Sequence, residues 1–517
     1  MLRPPLTHEP ADLIDGRWVS IAGASVVSEN PAHPSETVWS GSPRGGHVDA
    51  AVAAARGAAE PWSRWPAERR AAVLRRFQQV ATRRAEEMAA LIRDEVGKPL
   101  WDARAEASLL ASKVDITLDA GPEGSLRRIA GYEVGMGPAM PTRRGAAWFR
   151  PHGVMAVLGP FNFPAHLPNG HIVPALAAGN TVVFKPSDKA PAVGQLLAEF
   201  FAEALEDERA PAGVFNLVQG HGPIAAALAS HEGIDGVLFT GSWPVGRRIM
   251  GANLDHPGRI LALEMGGNNP AVIMPDADLK QAVIECVRCA FITAGQRCTC
   301  TRRLIVHEAV ADKVMGAVCR AASQLIIGDP RAEHPVFMGP VISDAARREI
   351  LEAQRAMQRG GGKALVLATA LDPEGWFVSP GVMQVERFTR DASLSGGAGA
   401  DVEVFGPLLR VSTVASLDEA IEQCNATQYG LAASLFSRDP AAVAEFQHRV
   451  RAGCININTG TAGASSKLPF GGLGRSGNHR PAGAFSVDYC AYPVAGMTES
   501  ADASQVSPGM RFEDAWV

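Results

Sequence analysis

A carboxylate, Glu264, and a thiol, Cys298, stand 34 residues apart, each in a glycine-marked setting: Leu-Glu-Met-Gly-Gly for the acid, Gly-Gln-Arg-Cys for the thiol. A cysteine that attacks a carbonyl ends in a thioester, and a second group must bring water to release it. A carboxylate does this when its pKa and position allow. A free thiol has a pKa of ~8.5, so little of it is thiolate at neutral pH, and the site is expected to raise that fraction. Either residue alone is weak evidence. Together they point to a nucleophile and a water-activating base.

Eight cysteines offer other readings. Cys286 and Cys289 form a C-x-x-C, and Cys298 and Cys300 a C-x-C, which suggests a metal site. Zinc knuckles sit in glycine-rich turns, whereas Cys286 and Cys289 lie one turn apart in an apolar helical stretch, where cysteine acts as a small hydrophobe. No metal is expected. Burial accounts for Cys286, Cys289, Cys319, Cys424, Cys454 and Cys490, and the alternation of the chain turns Cys300 away from Cys298.

The elements that must position this pair belong to a chain of 517 residues, too long for one core and expected to form two or three domains. Charged residues are 20%, hydrophobic ones 46% and the net charge is −5, which gives no reason to expect nucleic acid or an acidic membrane surface. The start, MLRPPLTHEP, lacks an apolar secretory core, and no apolar run reaches the ~18 residues of a spanning helix. Sparse cysteine predicts a reducing cytoplasm.

Residues 1–46 are rich in Pro and Ser, with strand-like pieces such as residues 16–19. A helix starting at Pro66 carries Val73, Phe77, Val80, Met88 and Leu91 at helical spacing, until Gly97-Lys98-Pro99 breaks it. Another follows over residues 101–117, and residues 146–150 suit an extended arm. From Val154 onward, strand-like runs (154–158, 181–184, 214–218, 237–239, 260–263) alternate with helical ones (172–178, 194–205, 223–230, 245–253). That alternation predicts a doubly wound parallel sheet, with ligands at the carboxyl ends of its strands. A second α/β block follows, with helices over 279–291, 309–324 and 417–425 and a strand over 303–307. Residues 360–362 and 395–399 read as surface loops.

Three strand ends carry polar groups. Phe161-Asn162-Phe163-Pro164 presents an amide that suits a developing oxyanion. Phe184-Lys185-Pro186-Ser187-Asp188 offers a lysine for ribose hydroxyls and an acid that would accept from a 2′-OH and repel a 2′-phosphate, favouring NAD over NADP. Phe239-Thr240-Gly241-Ser242-Trp243-Pro244-Val245-Gly246 ends a strand and starts a helix, a setting for a pyrophosphate. Gly472-Leu473-Gly474-Arg475-Ser476-Gly477 matches G-x-G-x-x-G literally, but no strand precedes it and no helix with a ribose-binding acid follows, so it is rejected as a cofactor loop.

From about residue 14 to 495 the chain resembles the aldehyde dehydrogenase superfamily. The resemblance rests on residues 161–164, 184–187, 239–242, 263–267, 295–298, 403–407 and 469–472 in one order. HLPNGHIVPAL (166–176), LEMGGNNP (263–270), TAGQRCTCTRRL (293–304), SGNHRP (476–481) and DYCAYPVA (488–495) are similar to one branch, the N-succinylglutamate 5-semialdehyde dehydrogenases of arginine catabolism. The resemblance implies Cys298 as nucleophile, the Cys298 N–H and Asn162 as oxyanion donors, and Glu264 as the base for water. It implies NAD held by Lys185, Ser187, Asp188, Gly241, Ser242, Gly246, Glu403 and Phe405. His166, Arg297, Ser465, Ser466 and Lys467 become candidate donors to a dianionic substrate.

It further implies a Rossmann-like NAD-binding domain (1–127 and 151–263), an α/β catalytic domain (264–465), an oligomerisation arm (128–150 and 482–500) and a tail (501–517). The assembly expected is a cytoplasmic homodimer or homotetramer. Three features depart from the family's pattern: the glycine-rich 395–400 segment, Lys467, and the extension past residue 497. The same machinery on another semialdehyde or aliphatic or aromatic aldehyde is the alternative. CoA-acylating relatives lack the glutamate, so Glu264 argues against that chemistry, and an intact Cys298, Glu264 and Asn162 argue against a non-catalytic binding protein.

Overall fold

The structure, a computed structural model, describes residues 6–119, 121, 124–137, 142–372, 374–391, 393–394, 399–501, 503–504 and 506–517. Most of the expected 395–399 loop therefore lies outside the described residues.

Residues 154–265 build the parallel core of a seven-stranded sheet. Its order is Ile260–Met265, Gly236–Gly241, Val154–Leu158, Thr181–Lys185, Phe215–Leu217, Ala11–Ile14 and Arg17–Ser20. The first five strands are parallel and the last two are added antiparallel, so the sheet is mixed at one edge. Every residue of Val154–Leu158 and of Thr181–Lys185 is buried, as a sheet covered on both faces requires. From Val154–Leu158 the chain builds to one side through Thr181–Lys185 and Phe215–Leu217, then crosses to the other side through Gly236–Gly241 and Ile260–Met265. The loop carrying Asn162 thus stands at the switch point of the sheet, where ligands of doubly wound folds bind.

The expected single helix after Pro66 is two, Ala67–Arg83 and Ala85–Val96, with Arg84 leaving helical geometry between them. The five residues of the expected face are all buried, so the break redirects the face without exposing it. Phe77 stacks on Phe201 of helix Pro191–Asp207 at 4.0 Å, an arrangement that adds about 0.5–1.5 kcal/mol beyond burial. Helix Leu100–Leu118 packs behind the site.

A second seven-stranded sheet runs Lys363–Val366, Gly381–Gln384, Leu408–Val414, Thr301–His307, Asn269–Ile273, Ala432–Phe436 and Cys454–Ile457, parallel except at its first pair. The expected helix 309–324 is a short 3-10 turn followed by Ala311–Ser323. Strands Ala491–Thr498, Arg144–Pro151 and Tyr132–Gly135 form a separate antiparallel sheet. Tyr132, Val134, Trp148, Tyr492 and Met497 lie exposed on it. Among the described residues, no helix is long and apolar enough to cross a membrane.

Candidate active site

The thiol-bearing loop begins where helix Leu279–Phe291, capped by Asp278, runs out. Thr293, Ala294 and Gly295 then take positive φ values of 53°, 52° and 70°. At Gly295 a side chain would meet Gly406 O at 2.1 Å, so only glycine fits. Thr293 and Ala294 have no such freedom, and each left-handed residue costs about 1–3 kcal/mol unless its surroundings impose it. Asp102, on helix Leu100–Leu118, imposes it: its carboxylate accepts from Thr293 Oγ1 at 2.7 Å and from Arg297 at 2.6 Å. Arg297 also donates to Thr293 Oγ1 at 2.8 Å.

Arg302, buried, gathers the neighbouring segments. Its guanidinium donates to Gly267 O, Gly295 O, Arg297 O and Val404 O, and to the Glu403 carboxylate at 3.3 Å. The Cys298 carbonyl accepts from Asn269 Nδ2 at 2.7 Å.

Cys298 is partly accessible from a cavity of about 450 Å³. Burial, then the Glu264 and Glu403 carboxylates, push its thiol pKa well above the ordinary cysteine value, with only Arg302 opposing among the nearby cations. These surroundings act against the expected rise in the thiolate fraction.

Glu264 ends strand Ile260–Met265 and is 1% exposed. Both its carboxylate oxygens are buried without a hydrogen-bond partner. Burial raises its pKa well above the usual carboxylate range, and Arg480 offsets part of this. The glycine-rich turn at 472–477 folds against this strand. Gly477 bridges Glu264, and Asn478 brackets the strand through Leu263 N and Leu261 O. Asn162 is buried and donates one amide N–H to Gln296 O at 2.9 Å, two residues before the thiol, which leaves its second N–H available.

Six of the expected cofactor residues lie at or beyond the carboxyl ends of strands in the first sheet, and Glu403 and Phe405 come from the segment before Leu408–Val414 of the second. Lys185 is buried, donates to Pro186 O at 2.7 Å and has its pKa lowered by burial to about 8. Ser187 Oγ accepts from Lys189 N. Asp188 is already engaged: its carboxylate meets His221 Nδ1 at 2.7 Å and raises the pKa of that histidine. Gly241 and Ser242 precede helix Trp243–Ala252, whose N-terminus has no side-chain cap. A side chain at Gly246 would strike Met265 Sδ at 2.2 Å, so the helix lies close on the strand bearing Glu264. Glu403 accepts from Gly267 N at 3.0 Å and covers Gly266, where a Cβ would be 1.7 Å from its Oε2. Phe405 meets Phe161 edge-on at 5.9 Å.

His166, Arg297, Ser465, Ser466 and Lys467 all line the Cys298 cavity. Arg297 is occupied by Asp102 and Thr293. Burial and the nearby Lys113 and Lys98 push His166 down to about 3, so its ring is neutral, and its Nδ1 is buried without a partner. Glu264 and Asn162 do not line the cavity. Cys300 is fully buried, whereas Cys319 and Cys454, expected in the core, are half-buried at its margin. Among the described residues, no group of His, Cys, Asp and Glu side chains is placed to hold a metal ion.

Sequence reasoning missed Asp102, Glu106, Lys113, His221, Arg302 and Arg480. Glu106 forms a buried pair with Lys98 at 2.6 Å and accepts from the N–H groups of Ala165 and His166, capping helix His166–Ala178 beside Asn162.

A half-buried thiol, a buried unpaired carboxylate and an amide, set where a doubly wound sheet meets a second α/β domain, suit a carbonyl-oxidising enzyme of the thiol–carboxylate kind. The chain belongs to the aldehyde dehydrogenase family, whose model matches residues 18–493. Its activity is the oxidation of a small-molecule aldehyde. N-succinylglutamate 5-semialdehyde dehydrogenase of Paraburkholderia xenovorans (strain LB400) is 44% identical over 504 residues, covering 96% of this chain and 99% of that protein. N-succinylglutamate 5-semialdehyde dehydrogenase 2 of Caulobacter vibrioides is 45% identical over 491 residues, covering 94% of this chain and 96% of that protein. Among solved structures, NAD-dependent aldehyde dehydrogenase from Sinorhizobium meliloti superposes with a TM-score of 0.88 at 29% identity, covering 98% of this chain and 97% of that one.

Proposed function

We propose that this protein oxidises N-succinylglutamate 5-semialdehyde to the acid with NAD, through a thioester on Cys298. The observation that carries the substrate class is the lining of the Cys298 cavity. It presents Lys113, Arg297 and Lys467, two histidines and three serines, and no aspartate or glutamate. A cavity whose ionisable side chains beyond its histidines and Cys298 are all basic favours an anionic aldehyde, since a carboxylate leaving water needs charged donors.

The cofactor residues fit a dinucleotide. The uncapped N-terminus at Ser242 suits a diphosphate, Lys185 and Glu403 suit ribose hydroxyls, and the Phe161–Phe405 pair offers an aromatic wall. NAD, when bound, supplies the hydride acceptor. The rest of the chemistry falls to the chain. Cys298 gives its thiol proton to water and attacks the aldehyde carbon as the thiolate, and the second N–H of Asn162 with the Cys298 N–H holds the oxygen as charge develops on it; the hydrogen on that carbon then leaves with its electron pair as the C=O re-forms. Once the thioester has formed, Glu264 in its ionised form takes a proton from water. Its raised pKa makes it the stronger base, and Arg480 favours the ionised form.

The exposed apolar residues of the three-stranded sheet support a homo-oligomer built through that arm. The test of function is a panel of aldehydes assayed with NAD and with NADP. Preference for the dianionic semialdehyde supports the reading, and preference for a neutral aldehyde of equal length overturns the substrate.

A further inference from the structure

Lys113 lies on helix Leu100–Leu118, 2% exposed, and reaches the Cys298 cavity from within. Its ammonium donates to Gly483 O at 2.8 Å and to Ser486 Oγ at 2.6 Å, both uncharged. That leaves its third N–H with no partner among the described residues, and no carboxylate there pairs with it. Its ionisable neighbours, His166, His171 and Cys490, bring no negative charge while histidine and thiol are neutral. Burial lowers its pKa to about 7. An uncompensated buried cation is costly unless something else brings the opposite charge.

A second, independent observation lies beside it: His166 also lines the cavity, and its Nδ1 is buried without a hydrogen-bond partner. His171, by contrast, is satisfied by Tyr489 and Thr240. Two unfilled polar positions thus lie at the inner wall, while Lys467 stands exposed on the 463–469 loop at the mouth.

We infer that Lys113, with His166 beside it, is the anchor for the substrate carboxylate nearest the aldehyde, and that it sets specificity for that group. The inference rests on the proposed function. A semialdehyde entering aldehyde-first carries its α-carboxylate deepest and its succinyl carboxylate last, which matches one buried donor group and one exposed lysine. Lys113 makes no bond to the reacting carbon and acts by binding alone.

The test compares the dianion with N-succinyl-4-aminobutanal, which differs only in lacking the α-carboxylate, in the full-length enzyme and in Lys113→Met. A charge-assisted bond is worth about 1.5–3 kcal/mol, or about tenfold to hundredfold in kcat/KM. The wild type is expected to favour the dianion by about that factor, and Lys113→Met to reduce the preference to below about threefold. Lys113→Gln, which keeps a donor for Gly483 and Ser486, serves if the methionine variant does not fold, and should lose the preference equally. Retention of the full preference in either folded variant overturns the assignment and leaves the proposed substrate standing. A wild type indifferent to both carboxylates, measured against a neutral aldehyde, overturns the proposed substrate as well.

Discussion

Replacing Asp102 by asparagine removes a charge that touches neither substrate nor cofactor, yet activity should fall about a hundredfold. The Asp102 carboxylate makes two bonds, to Thr293 Oγ1 and to Arg297. Bonds of this charge-assisted kind are worth about 1.5–3 kcal/mol each, so about 3–6 kcal/mol together. The left-handed residues Thr293 and Ala294 oppose them with about 2–6 kcal/mol of strain. The two quantities are of equal size, so the loop holds its shape only while both bonds are intact. Asparagine keeps one acceptor and leaves Arg297 without its counter-charge. The loop then relaxes, and a shift of about 1 Å at Cys298 suffices for a hundredfold loss. NADH absorbance gives kcat/KM, and urea unfolding gives the folded fraction, so activity is read per folded enzyme. Thr293→Val and the double variant complete a cycle: because both residues act on one loop, the double variant should be little worse than the poorer single. Additive losses, or Asp102→Asn activity within threefold of wild type, would refute the latch.

Cys298→Ala should abolish turnover while leaving cofactor binding intact, and Cys300→Ala, whose thiol is buried away from the cavity, should stay active. The reverse result would move the nucleophile. Glu264→Gln should release one rapid equivalent of NADH per subunit and then stall, and a missing burst would place Glu264 earlier in the reaction. Since only ionised Glu264 takes water's proton and burial raises its pKa, acid release should quicken as pH rises through that raised value. A rate flat from about pH 5 to about 9 would count against this role. Asn162→Ala should slow acylation by roughly 10²–10³, and an unchanged acylation rate removes it from the mechanism. Protonated His221 offsets the charge of Asp188, and that offset is lost as pH rises through its raised pKa. Discrimination against NADP should therefore grow with pH, whereas a ratio of NADP to NAD activity that does not move with pH assigns Asp188 no part in the choice.

Alternation of strand and helix made the parallel core legible, because a sheet covered on both faces leaves continuous apolar runs such as residues 154–158. The antiparallel edge at residues 11–20 left no such mark, since an edge strand takes its partner from distant chain. The thiol, the acid and the strand-end loops were legible because glycine and proline fix their turns. The residues that hold those turns were not. Asp102, Glu106 and Lys113 sit on the same buried side of one helix as Ala103, Ala107, Leu110 and Val114. Charges at apolar-stripe positions were the available signal, but their partners lie far along the chain. The break at Arg84 escaped notice because the apolar spacing runs through it.

The two ends of the cavity are anchored very differently. Around Lys467 the loop is exposed and held by local bonds, Lys467 N to Ser465 Oγ and Leu468 N to Ser465 O, whereas Lys113 is embedded in a helix that also steadies the nucleophile. Substitutions on the outer loop cost little folding energy, as on most surface loops, while substitutions on the inner wall disturb catalysis along with recognition. Divergence of substrate length among descendants of this protein is therefore easy, and loss of its taste for a carboxylate beside the aldehyde is hard.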